Sequence, residues 1–85
     1  MDYIEACKIA NEYYKCAWGV NGFSEIKDLG SKWLFYPKIE TPFFGGSFVT
    51  IKKDDGEISL FKLPNDENFK LLKNAISMDV PKKYK

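Results

Sequence analysis

The run "SFVTIKKDDGEISLFKL", residues 47–63, restricts the chain more than any other segment. Phe48 and Thr50 alternate with Val49 and Ile51, and Ile58 and Leu60 alternate with Ser59 and Phe61. Between the two runs stands Asp55-Gly56, a pair suited to the positive φ of a tight hairpin turn. An antiparallel sheet is therefore expected. In "KWLFYPKI", Trp33, Phe35, Pro37 and Ile39 fall on one face of a further strand, and Leu34, Tyr36 and Lys38 on the other. Pro37 lacks a ladder donor, so this strand should bulge, end or lie at an edge there. "FSEIKDL", from Phe23, gives a weaker strand, with a turn at Gly30-Ser31. Trp33 and Phe35 are read as core.

Helical periodicity flanks the strands. Over residues 2–18, Ile4, Cys7, Ala10, Tyr14, Ala17 and Trp18 fall near one helical face. Asp2 stands at the cap with Glu5 in the capping-box position, and Gly19 and Asn21-Gly22 end the helix. Residues 65–77 read as a second helix: Pro64 precedes it, Asn65 or Asp66 caps it, and Phe69, Leu72 and Ile76 form its inward stripe. Residues 78–85 read as a frayed basic tail after Pro81. The expected class is α+β, one domain over residues 1–85: an N-terminal helix, a meander of three to four antiparallel strands over residues 23–63, and a C-terminal helix. Both helices are expected on one sheet face.

The chemistry available is narrow. There is no His, so the commonest general base and metal ligand is missing. Cys7 and Cys16 lie nine residues apart on the first helix. That separation means about 900° of rotation and roughly 13 Å of rise, so they point to opposite faces. Neither a disulfide between them nor a zinc site fits that geometry. The carboxylates of Asp54, Asp55 and Glu57 read as turn residues, because the remaining ligands of a calcium loop are missing. Gly45-Gly46 leads into a strand, whereas phosphate-binding glycine loops open a helix. The expectation is a protein that is not an enzyme, with no cofactor and no metal.

The balance of 13 basic against 12 acidic residues gives a net charge of +1, and every basic residue is Lys. Without Arg there is no bidentate fork for phosphate or guanine, so no nucleic-acid partner is expected. The lysines of "PKKYK" would hold a polyanion only weakly. No run approaches the roughly 18 apolar residues of a membrane span, so no membrane partner is expected either. The start "MDYIEACKIA" lacks the apolar core of a signal peptide, and free thiols suit a reducing compartment, so the expected location is cytoplasmic.

The segments "GSKWLFYPKI", "FFGGSFVTIKKDDGEISLFKLP" and "ENFKLL" together resemble the immunity protein 35 family, related to YrhB-like domains. The pattern is carried by Gly30, Trp33, Phe35, Gly45, Gly46, Lys53, Gly56, Glu57, Ile58, Leu63 and Pro64, within roughly residues 3 to 76. The resemblance implies an immunity protein of a bacterial polymorphic toxin system, which neutralises its cognate toxin by binding it. The alternative is a chaperone-like or general protein-binding module. A monomer or weak homodimer is expected. Loop aromatics are the natural anchors of a partner surface. The candidate contact residues are therefore Tyr36, Glu40, Phe43 and Phe44, joined by Asp54, Asp55 and Glu57 at the hairpin tip.

Overall fold

A computed structural model describes residues 2–38, 47–62 and 66–85. Among the described residues eight elements follow one another: α1 (Tyr3–Trp18), β1 (Phe23–Asp28), β2 (Lys32–Pro37), β3 (Ser47–Lys52), β4 (Ile58–Lys62), α2 (Asp66–Lys73), β5 (Ile76–Met78) and a 3-10 turn (Lys82–Tyr84). The class is α+β. The five strands form one antiparallel sheet in the order β4-β3-β2-β1-β5.

The first helix is stopped by Gly19, whose φ of 67° allows a left-handed cap with its N–H on the Lys15 carbonyl. Asp2 holds the N-cap position without making a side-chain cap bond. Buried Asn11 then steers the chain into β1. Its Oδ1 accepts the Gly22 N–H at 2.7 Å, and its Nδ2 donates to Asn21 Oδ1 at 3.0 Å.

Strands β1 to β4 form the expected meander. β2 stops at Pro37, and the opposing segment of β1 shifts register between Phe23 and Glu25, so the missing donor is absorbed by a bulge and a strand end. The β3–β4 pair runs from Ser47↔Lys62 to Ile51↔Ile58 without a register shift.

Two cores lie on the two faces of the sheet. On one, α1 contributes Ala6, Cys7, Ala10 and Tyr14 against Phe23, Ile26, Trp33, Phe35, Val49 and Ile51. On the other, Leu29, Leu34 and Phe61 are packed by Leu71, Leu72 and Ala75 of the α2 region. The two helices therefore sit on opposite faces, contrary to the expectation of one shared face. The cause is β2 itself: it is apolar on both sides, with Trp33 and Phe35 up and Leu34 down, and each side needs a cover.

The C-terminal third also departs from expectation. The second helix ends at Lys73, and residues 76–78 form a strand on the outer edge of β1, pairing Ile26↔Met78 through Asp28↔Ile76. An eight-residue helix is marginal by itself, and the bare edge of β1 offers ladder bonds that an added helical turn cannot match. Phe69 of the expected stripe has a side chain outside the described residues, Leu72 is half-buried, and Ile76 is 68% exposed. The basic tail is docked rather than frayed. Tyr84 is buried with its ring 5.6 Å from that of Phe23, and a Cβ on Gly22 would meet the Tyr84 carbonyl oxygen at 2.6 Å.

Candidate protein-binding surface

The end of the sheet that carries the β3–β4 turn is built around one ion pair. Lys53 Nζ lies 2.9 Å from both carboxylate oxygens of Asp28, whose Oδ1 also accepts the Gly30 N–H at 2.8 Å. Lys53 also stands 5.3 Å above the Trp33 ring, and its N–H donates to the Ser31 carbonyl. Burial alone would raise the Asp28 pKa, yet the Lys53 ammonium and the Gly30 N–H hold it below its ordinary value. The β1–β2 turn is thereby tied to the β3–β4 turn.

Asp54, Asp55 and Glu57 are exposed on that turn. Asp55 Oδ1 accepts the Glu57 N–H at 2.9 Å, and Gly56 carries a φ of 74°. The turn reading of these residues holds for Asp55 and Gly56, while the carboxylates of Asp54 and Glu57 face solvent. Tyr36 lies at the opposite end of the sheet and on the α2 face. It is half-buried, with its ring 4.8 Å from Phe48, and burial assisted by the Glu25 charge raises its pKa. Glu40, Phe43 and Phe44 fall outside the described residues. The structure thus separates Tyr36 from the acidic turn.

A groove of about 750 Å³ opens on the other face, between α1 and the edge strand β4. Ile9, Tyr13, Cys16 and Ala17 form its apolar wall, Ile58 lies at its floor, and Glu5, Lys8 and Glu12 rim it. The opening follows from widths. A helix with its side chains spans about 10 Å and strands lie about 4.8 Å apart, so one helix covers two strands. α1 packs on β2 and β3, while Val80 and Tyr84 cover the β1 side. β4 is left uncovered on this face, with Ile58 42% and Leu60 47% exposed.

These groove residues were absent from the sequence-based candidates. A signal was present: Ile58 and Leu60 on one side of β4 and Phe61 on the other make it apolar on both faces, so it needs two covers or leaves one face bare. The two cysteines divide as their spacing requires, with Cys7 buried and Cys16 exposed in the groove wall. Burial pushes the Cys7 thiol up to about 11, so it stays neutral and inert as a small core residue.

Among the described residues no helix is long and apolar enough to cross a membrane. Comparison with protein-family models, with curated proteins and with solved structures found no match in any of the three.

Proposed function

We propose that this chain acts by binding another protein, as a non-catalytic inhibitor that neutralises a cognate bacterial toxin in the cytoplasm. The observation that carries the reading is the bare apolar side of β4. Ile58 and Leu60 are exposed beside the apolar α1 wall, at the end of the sheet that bears Asp54, Asp55 and Glu57. Contiguous exposed apolar surface rimmed by charge is what a partner interface requires. The motif resemblance to the immunity protein 35 family supplies the toxin as the partner class. Inhibition needs no reactive group, because covering an active site is enough, and a standard interface takes about 800 Å² per partner.

The test is growth rescue and co-purification with the product of the adjacent gene. The expected result is a one-to-one complex and restored growth of cells expressing that product. Normal toxicity in the presence of this chain, with no complex on gel filtration, would retire the toxin reading. The open, apolar character of the groove also favours a chaperone-like module. That alternative requires suppression of aggregation of several unrelated clients at substoichiometric or equimolar levels, and no tight single partner.

A further inference from the structure

We propose that the partner enters as an extended strand that adds to the outer edge of β4. In this arrangement it lays apolar side chains at alternate positions against the groove and places a Lys or Arg near Ile58. The proposal rests on the reading of the chain as a protein-binding inhibitor, and it goes further by stating what the bound segment must look like.

The backbone of β4 supplies the first argument. The Lys52 N–H donates to the Glu57 carbonyl at 3.0 Å, so this pair is hydrogen-bonded across the hairpin. Bonded and non-bonded pairs alternate in an antiparallel ladder, which makes Thr50–Ser59 and Phe48–Phe61 the next bonded pairs. Ile58 and Leu60 therefore turn their N–H and C=O groups away from β3. Beyond them, among the described residues, the sheet has no further strand.

Natural sheets usually blunt such an edge with short length, bulges, Pro or charge. The opposite edge, β5, has three residues. By contrast β4 pairs over five residues without a shift, and its Ile58 and Leu60 side chains stand exposed on the open side. An incoming strand meets ladder partners at Ile58 and Leu60. Its groove-side residues lie next to these two and to the wall formed by Ile9, Tyr13 and Ala17.

Charge decides the polarity of the occupant. Glu5 and Glu12 outnumber Lys8 on the rim, and at the adjoining turn Asp54, Asp55 and Glu57 outnumber exposed Lys52, Lys53 being paired with Asp28. A basic residue at that end is complemented, and an acidic one is repelled. A second copy paired antiparallel through β4 carries its acidic turn to the far end of the strand, so spacing rather than charge argues against it. That pairing sets the two α1 helices roughly 19 Å apart, counting strands at about 4.8 Å, where packed helices lie about 8–10 Å apart.

The experiment uses the whole chain and a random linear dodecapeptide library as probe. Enriched peptides are expected to carry apolar residues at alternate positions with at least one Lys or Arg. On adding such a peptide, amide exchange of Ile58 and Leu60 should slow by at least about tenfold, while Ser59 and Phe61, already bonded to β3, stay unchanged. Leu60→Pro removes an outward N–H, together with the exposed leucine side chain, at a position where an edge strand tolerates Pro; it should cut binding at least about tenfold with the circular dichroism preserved, and Leu60→Ala, which keeps the N–H, should cut it less.

Peptides that bind without slowing Ile58 and Leu60, or the absence of any enrichment over the Leu60→Pro chain, would overturn strand addition. So would concentration-dependent protection of the two amides in the chain alone, which would make the occupant a second copy. The two readings separate cleanly. Rescue by a complex in which Ile58 and Leu60 exchange freely retires strand addition and keeps the inhibitor. Strand addition without rescue does the reverse.

Discussion

The Tyr14 hydroxyl donates to the Phe35 carbonyl at 2.6 Å and accepts the Val49 N–H at 2.7 Å. It thus stands between β2 and β3 where a direct ladder rung would run, and the β2–β3 register ends at Phe35↔Val49. Tyr14→Phe should cost about 1–3 kcal/mol, the penalty of stranding buried backbone groups, read as a lowered urea midpoint. An unchanged midpoint would mean that the strands close and form the rung themselves. Trp33 is nearly buried and packs edge-on to Tyr3 at 5.4 Å. Trp33→Ala should therefore cost about 3–5 kcal/mol, measured in the same way.

Titration at this scale has a definite sign. Burial raises the Cys7 thiol from 9.0 to about 11 and the Tyr3 hydroxyl from 10.0 to about 12, and it pushes Tyr14 up as well. These groups keep their protons longer folded than unfolded. Their contribution is complete below pH 9 and declines as pH rises through the folded values. Asp28 is depressed, so its contribution is present above 3.8 and is lost as pH falls through its lower folded value. With no His in the chain, urea midpoints should be level from mildly acidic to mildly alkaline pH and fall on both sides.

At the scale of elements, alternation set Trp33 with Phe35 on one side of their strand and Val49 with Ile51 on one side of theirs, and the strand pairing brings all four to the α1 face. What local pattern could not settle was residues 74–85. Phe69, Leu72 and Ile76 fit a helical stripe, while a three-residue strand is too short to show a period of its own. The distant edge of β1 decided the outcome. Tyr84 was equally hidden, because a tyrosine among lysines carries no sign of the Phe23 ring that receives it. Tyr84→Ala should lower stability by about 3 kcal/mol, in the range of buried aromatic truncations, in a thermal or urea melt. A change within about 0.5 kcal/mol, as for an ordinary surface residue, would show that the docked turn contributes little. The exposed β3–β4 turn was legible from Asp55-Gly56. The groove was not, because exposure of Ile58 and Leu60 depends on how far α1 reaches across the sheet.

For the molecule as a whole, a net charge of +1 conceals an uneven distribution, with carboxylates at the β3–β4 turn and on the groove rim. Replacing Asp54 and Glu57 with Lys, and sparing Asp55 because it holds the turn, should slow association with a basic partner and flatten its salt dependence. Surface plasmon resonance at low and high salt reads both effects, and equal on-rates for the two chains would remove the acidic turn from the encounter. The placement of the cysteines has a practical side. Cys16 is exposed in the groove wall, while Cys7 is buried and protonated at neutral pH. A maleimide dye added near neutral pH should attach at Cys16 alone. The unmodified sequence would then carry a fluorescent reporter on the wall where a bound segment is expected to lie.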